Sequence, residues 1–349
     1  MTFPSLARSL VGAAGHRLST LTRGDPPPGL DATPRDVVFT WRKLELSRIR
    51  PVGPTTSTPV LLIPPLMVRP YIYDLQPSHS LLASLRDAGL DVYLVDFGVP
   101  GRRDAGLRLD DYVLDFVPTL IDRTLSHSGA RRLAIVGYCM GGLFGLMHVG
   151  THGNSQVRAL VTIGSPVNFR EAGMISVGAR LTAPVMDAVV DLLGNIPGEL
   201  SSFVFKLISA RRIMRSYVQL LRHPDDDEHV RSFRAINYWI NDMLPYPQEA
   251  YRQLFHEVIL GNKLRRGTLA FGGRPCRLDR VRGPVLAFAG EQDIIAPPSA
   301  IREVVELVAS DDKRLEIVPG GHVGVVAGSA APARVWRPMI NWLGERLRA

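Results

Sequence analysis

The chain has 349 residues, 46% of them hydrophobic and 21% charged, and this composition excludes a disordered or fibrous protein. The formal net charge is +8, but the arginines that carry most of it are scattered, so nothing indicates a groove for nucleic acid. No run approaches the roughly 20 apolar residues of a spanning helix, and two cysteines are too few for a disulfide scaffold. We therefore expect a cytoplasmic protein with no transmembrane segment and no nucleic-acid partner.

Residues 1–35 read as a lead-in segment that ends near a run of prolines at 26–28. Four leucines beside arginines have the spacing of a weak basic amphipathic helix: Leu6, Leu10, Leu18 and Leu21. Two interpretations stay open, a frayed peptide or an anchor on a membrane or polymer surface.

The next part of the chain alternates predicted strands and helices, which favours a parallel sheet. The apolar patterns predict strands at 37–47, 59–63, 92–97, 133–137 and 159–163, and helices at 80–88, 109–125 and 142–149. Pro118 should kink or break the second of these helices.

A mostly helical stretch then interrupts the alternation from residue 168 to 282, with expected breaks at its prolines: Pro184, Pro197, Pro224, Pro245 and Pro247. The alternation resumes with strands at 285–289 and 315–318 and helices at 299–308 and 335–347. The predicted architecture is a mostly parallel, doubly wound sheet interrupted by a helical insertion. Its core would comprise residues 36–167 and 283–349, and residues 168–282 would form a helical cap.

The sharpest motif is Gly-Tyr-Cys-Met-Gly-Gly at residues 137–142, where a predicted strand meets a predicted helix. Glycines on both sides allow the tight strand–turn–helix of a nucleophile elbow, which would hold Cys139 out over the sheet edge. With this motif, the predicted fold class is an α/β-hydrolase fold, a mostly parallel, doubly wound sheet with a helical cap insertion. The alternative interpretation is a buried core cysteine in a glycine-rich turn.

A cysteine nucleophile needs a histidine base and a carboxylate that orients it. In this fold the order along the chain is nucleophile, acid, histidine. Asp293 follows a late strand, and His322 follows the next, so both should lie at the edge where strands end. A capping aspartate and an ordinary loop histidine are the alternatives, and His256 in the insertion is a weaker rival base.

The oxyanion hole of such a site uses the backbone N–H that follows the nucleophile, here Met140, and one from the loop after an earlier strand. Met67 is the predicted second donor, with Leu66 and Val68 as rivals. Transfer from a thioester to a cysteine keeps the acyl group activated, which favours acyl transfer over hydrolysis.

From about Thr58 to the C-terminus the chain resembles poly(3-hydroxyalkanoate) synthases, and its length is like that of the class III catalytic subunit. The resemblance rests on RPYIYDLQP, DVYLVDFG, GYCMGG, NYWIND, GNKLRRG, GEQDIIAPP and GGHVGVV. It makes Cys139 the nucleophile, Asp293 the acid and His322 the base. Three positions differ from the usual family pattern: Phe97, Met140 and Ile294.

The resemblance implies an acyltransferase that takes an (R)-3-hydroxyacyl-CoA substrate, with no metal or redox cofactor. It also implies a second synthase subunit or a homodimer as partner, and a place in the cytoplasm or at polymer or lipid inclusions. Tyr71 and Trp239 lie in two of the matching segments and are candidates for substrate binding.

Two alternatives remain at this point. GYCMGG also resembles the elbow of dienelactone hydrolases, so a cysteine-triad thioesterase or esterase would share the motif, although those enzymes lack the long insertion. A non-catalytic subunit on a lipid or polymer inclusion is the other alternative. A closed, buried Cys139 would favour it.

Overall fold

The computed structural model describes residues 24–211, 213–214 and 227–347. Eight strands form the main sheet: β1 (Arg35–Trp41), β2 (Leu44–Ile49), β3 (Val60–Ile63), β4 (Val92–Asp96), β5 (Leu133–Tyr138), β6 (Val157–Ile163), β7 (Val285–Gly290) and β8 (Lys313–Val318). Their order across the sheet is β1-β2-β4-β3-β5-β6-β7-β8. Only β2 runs against its neighbours, β1 and β4; every other neighbouring pair is parallel.

The helices cover both faces of the sheet and form the insertion: α1 (Leu81–Asp87), α2 (Val117–Ser128), α3 (Met140–His152), α4 (Gly173–Leu193), α5 (Gly198–Ile208), α6 (Asp227–Asn241), α7 (Gln248–Gln253), α8 (Pro298–Leu307) and α9 (Arg337–Leu347). The π-helical segments Tyr112–Phe116, Leu254–Leu260 and Pro332–Trp336 adjoin α2, α7 and α9. Short helical turns lie at Pro70–Tyr73, Arg102–Asp104, Leu109–Asp111, Phe169–Glu171, Leu278–Arg280 and Gly324–Ala327.

Two small antiparallel ribbons complete the secondary structure: Asp74–Gln76 with His79–Ser80, and Ala270–Phe271 with Arg274–Pro275. None of the helices in the described ranges is long and apolar enough to cross a membrane.

The central strands are buried on both faces, as expected for a parallel sheet covered by helices. Successive residues of β3 show this directly. Leu61 and Ile63 pack into one apolar cluster, and Val60 and Leu62 pack into a second. Because side chains alternate along a strand, the two clusters lie on opposite faces of the sheet.

The prediction of one strand at 37–47 is wrong, because the chain turns there and forms β1 and β2 instead. Arg42 stands at the turn with φ of 55°, in the left-handed region. Trp41 and Leu44 then pair as the closing residues of an antiparallel hairpin. No glycine or proline marks this turn, so the apolar pattern predicts one continuous strand across it.

Prolines in the helices have different outcomes. Pro118 lies at the start of α2, directly after the π-helical segment Tyr112–Phe116, so the helical path changes there without breaking. Pro197 and Pro247 immediately precede α5 and α7, as expected for breaks. The break expected at Pro184 is wrong, because Pro184 lies inside α4.

The predicted cap region contains α4 to α7, while its residues 212 and 215–226, including Pro224, lie outside the described residues. The amphipathic lead-in at residues 1–23 lies outside them as well. The boundaries of core and cap therefore stay predictions, although the mostly helical character of the described part is plain.

Candidate active site

Cys139 stands at the sharp turn between β5 and α3. Its φ is 50° and its ψ is −115°, an unfavourable backbone conformation for a residue with a side chain. The turn is held by a 2.8 Å hydrogen bond from the Cys139 N–H to the carbonyl of Ile163 in β6. The residue is partly exposed. Such local strain, retained at the end of a buried strand, is typical of functional sites.

The flanking glycines are required by close backbone contacts. A Cβ at Gly137 would collide with the backbone of Gly141 and Gly142. A Cβ at Gly141 would collide with the carbonyl of Ile63 at the end of β3, and one at Gly142 with Ser165. The glycine spacing therefore brings α3 against β5 and against the loop after β3.

Asp293 and His322 meet beside this turn. Asp293 follows β7 and His322 follows β8, and the Nδ1 atom of His322 lies 2.8 Å from Oδ2 of Asp293. The other oxygen of Asp293 accepts hydrogen bonds of 2.8 Å from the N–H groups of Ile295 and Ala296. With both carboxylate oxygens occupied, the aspartate is fixed and in turn fixes the imidazole ring.

His322 also interacts with the cysteine. Burial lowers the pKa of His322, but the charges of Asp293 and Cys139 and the hydrogen bonds to both outweigh this effect and raise the pKa to about 10. The imidazole therefore stays protonated at neutral pH, between the carboxylate and the sulfur. The rival base His256 lies elsewhere, 2.8 Å from Asp187 on the partly exposed surface of the insertion.

Tyr138 supports His322, and sequence reasoning missed it. Its hydroxyl donates a 3.2 Å hydrogen bond to the carbonyl of His322, and the two rings are 5.2 Å apart. Its only signal in the sequence is its place directly before Cys139.

The loop after β3 lies against the start of α3. Met140 is the first residue of α3, so its N–H has no carbonyl partner within the helix. The carbonyl of Met67 accepts a 2.8 Å hydrogen bond from Leu244, which ties this loop to the insertion. The roles of Met140 and Met67 as oxyanion donors remain predictions.

Tyr71 and Trp239 link this loop to α6 and are almost fully buried, at 8% and 2% exposure. The Tyr71 hydroxyl donates a 2.7 Å hydrogen bond to Asp242, and the indole of Trp239 donates a 3.3 Å bond to the carbonyl of Arg69. Neither side chain lines the large cavity beside His322. Their contact with substrate stays a prediction. The two hydrogen bonds explain instead how the insertion is attached to the loop after β3.

A cavity of about 1220 Å³ opens beside the catalytic histidine candidate, between the insertion and the strand-end loops. Asp293 and His322 lie in its wall, as do Ile294, Phe205 and Ile240. A volume of this size suits a long, mainly apolar ligand with a few polar groups. Two further aromatic residues of the insertion lie outside this wall, because Phe203 is 63% exposed and Phe255 is buried in the core.

Solved structures with a similar fold include two lipases. The chain matches a monoglyceride lipase from Saccharomyces cerevisiae with a TM-score of 0.57 and 15% identity, covering 94% of this chain and 98% of the lipase. It matches a monoacylglycerol lipase from Paleococcus ferrophilus with a TM-score of 0.56 and 16% identity, covering 87% and 100%. At such low identity these matches establish the fold alone, and they confirm the predicted fold class.

Proteins related in sequence identify the family more specifically than the structural matches do. The family model for the alpha/beta hydrolase fold matches residues 66–328. A poly(3-hydroxyalkanoate) polymerase subunit PhaC from Allochromatium vinosum is 33% identical over 318 residues, covering 90% of this chain and 89% of the relative. The protein of the same name from Haloferax mediterranei is 32% identical over 343 residues, covering 96% and 68%. The chain therefore belongs to the PhaC family of poly(3-hydroxyalkanoate) polymerases, within the α/β-hydrolase fold.

Proposed function

We propose that this chain is an acyltransferase that builds a polyester from (R)-3-hydroxyacyl-CoA through a thioester on Cys139. The observation that carries the proposal is the 2.8 Å contact of His322 with Asp293 beside the strained strand-end turn at Cys139. Membership of the polymerase family supplies the reaction class.

In the first half-reaction the Cys139 sulfur attacks the thioester carbonyl of the substrate, and a tetrahedral oxyanion forms. As the intermediate collapses, the carbon–sulfur bond to CoA breaks and His322 gives its proton to the departing thiolate. Asp293 keeps the imidazole oriented throughout. The products are free CoA and an acyl group bound to Cys139.

In the second half-reaction the hydroxyl of an acceptor, either a chain end or another alcohol, attacks the Cys139 thioester. His322, now neutral, takes the hydroxyl proton, and collapse of the intermediate releases the cysteine thiolate and the new ester. The proton on His322 and the charge on the sulfur return to their starting states. Bond formation and cleavage therefore balance over the cycle.

The oxyanion would be stabilised by the backbone N–H groups of Met140 and Met67. Close packing of Gly141 against the carbonyl of Ile63 supports this, because it places the loop after β3 beside the start of α3. Donors held by backbone packing need no reorganisation when charge develops, which is why they contribute strongly to catalysis.

The test is to incubate the pure protein with 3-hydroxybutyryl-CoA and to measure released CoA, polymer and free acid in parallel. We expect the wild type to release CoA and to form polymer. Cys276→Ala should do the same, because Cys276 is buried away from the site. Cys139→Ala should release no CoA. Free acid as the main product would favour the hydrolase alternative, and no CoA release would favour a non-catalytic subunit.

A partner subunit or a homodimer, and a position at polymer inclusions, belong to the same proposal. Several relatives carry the word subunit in their names, which supports a partner. Activity measured across a range of protein concentrations tests self-association, since a dimer-dependent enzyme loses specific activity on dilution.

A further inference from the structure

The cavity beside His322 has a polar end that the mechanism above does not use. One face of α6 lines the cavity with Glu228, Ser232, Ile236 and Ile240, spaced four residues apart. Along this row the side chains change from polar at the start of the helix to apolar at its end, and Phe233 and Asn237 line the cavity beside it. Twelve residues of helix span about 18 Å, so the two ends are well separated.

The apolar end of this face is the one next to the reaction centre. Trp239 and Asp242, at the end of α6, bond to Arg69 and Tyr71 in the loop that also contains Met67. The cavity therefore extends from Asp293 and His322, which lie in its wall, along α6 towards Glu228 and Ser232.

His79 closes the polar end. Its ring packs 4.7 Å from the ring of Trp336, and it lines the cavity together with Glu228 and Ser232. The Nε2 atom of His79 is buried and has no hydrogen-bond partner among the described residues. Burial lowers the pKa of His79, so the neutral ring can accept or donate a hydrogen bond there.

The neighbouring polar groups also have hydrogen-bonding capacity to spare. Ser232 Oγ accepts a 2.8 Å hydrogen bond from Gln76, which leaves its own O–H available to donate. Glu228 offers carboxylate oxygens that accept from N–H or O–H groups. A buried polar atom without a partner is destabilising, and a ligand with matching groups would remove that cost.

We infer that the pantetheine arm of the CoA thioester lies along α6 and is held at its far end by His79, Glu228 and Ser232. This inference rests on the proposed function, because His322 must reach the departing sulfur of CoA, and the arm continues from that sulfur. The arm is a long chain that carries amides and a hydroxyl, so apolar walls followed by a polar end match its chemistry. Arg211, exposed at the cavity wall, presents a cation suited to the phosphates beyond the arm.

The test compares two thioesters of 3-hydroxybutyrate, the CoA thioester and the short N-acetylcysteamine thioester, which keeps only the amide nearest the sulfur. His79→Phe preserves the ring beside Trp336 and removes the nitrogens, and Ser232→Ala removes one donor. Each should raise KM for the CoA thioester about three- to tenfold, the value of one hydrogen bond, and leave kcat unchanged. KM for the short thioester should stay the same.

His152→Phe is the matched control, since His152 is exposed and lies outside this cavity. Parallel rises of both KM values, or no rise with the CoA thioester, would overturn the inference. Calorimetric binding of CoA to the wild type and to His79→Phe keeps the test independent of turnover. Equal affinities of the wild type and His79→Phe for CoA would overturn the inference, even if the protein shows no turnover. If the protein shows no turnover but His79→Phe binds CoA more weakly than the wild type does, only the proposed function is contradicted.

Discussion

At the scale of single residues, the protonation of His322 should depend on Cys139. Because the sulfur helps to raise the pKa of His322 to about 10, Cys139→Ala should lower that pKa, and Asp293→Asn should lower it too. A pH titration followed by ¹⁵N NMR of histidine-labelled protein measures the change. An identical titration of His322 in the wild type and in Cys139→Ala would show that the two side chains do not interact.

The same shift has a consequence for stability. The pKa of His322 is higher in the folded protein than the 6.5 of an unfolded chain. Its proton therefore contributes stability fully below pH 6.5, and that contribution is lost as the pH rises towards 10. The difference in free energy of unfolding between the wild type and His322→Gln should shrink between pH 6.5 and 10 in denaturant titrations; a constant difference would contradict this.

The sequence was informative about residues where a short motif imposes a backbone geometry. Gly137, Gly141 and Gly142 mark the turn at Cys139 because no larger residue fits there. Asp293 and His322 could be found from chain order, since parallel strands end at one edge of a sheet. His79 and Tyr138 could not be found, because their contacts depend on packing between elements far apart in sequence.

At the scale of secondary-structure elements, the attachment of α6 to the loop after β3 should depend on Asp242. This carboxylate accepts from Tyr71 at 2.7 Å, lies 3.4 Å from Arg69, and is 8% exposed. Asp242→Asn keeps the size of the side chain but removes the charge opposite Arg69, so we expect a loss of about 1–2 kcal/mol in unfolding free energy. Urea unfolding measures it, with Tyr71→Phe and the double variant completing a coupling cycle.

Asp187→Asn provides the control, because Asp187 pairs with His256 on the surface of the insertion, where its side chain is 52% exposed. An exposed pair of this kind contributes at most about 1 kcal/mol. Equal losses in the two variants would mean that the link between α6 and the loop has no special role.

Elements with a single clear period were predicted well, and errors arose where tertiary packing overrides the local pattern. The hairpin of β1 and β2 turns at Arg42, a residue that gives no turn signal. Pro184 continues within α4 although a proline removes one backbone hydrogen bond from a helix. In both places the local sequence allows the observed backbone without predicting it.

At the scale of the whole molecule, alternating strands and helices predicted a parallel sheet, because a helical crossover returns the chain in the same direction. The position of β4 between β2 and β3, and the reversed direction of β2, could not be predicted in this way. The strand order and the direction of β2 depend on which strands pair with each other in the folded sheet. The residue pattern within a single strand does not determine that pairing.

The two cysteines should report separately on the active site and on global unfolding. Cys139 is partly exposed, whereas Cys276 is fully buried beside α3, and burial raises its pKa to about 11. Below that pH Cys276 is a protonated, enclosed thiol, and only thiolates react readily with iodoacetamide. In the native protein we therefore expect one rapid modification, at Cys139, that inactivates the enzyme and that substrate prevents.

Cys276 should react only when the molecule opens, so its modification rate should rise steeply across the urea unfolding transition and should be insensitive to substrate contacts at Cys139. Mass spectrometry of peptides after timed labelling distinguishes the two sites, and Cys139→Ala isolates the slow one. Rapid modification of Cys276 in buffer, at a rate similar to that of Cys139, would show that the core around α3 opens independently of global unfolding. Slow labelling of Cys276 combined with substrate-protected labelling of Cys139 is expected for a rigid α/β core that holds a single accessible nucleophile at its edge.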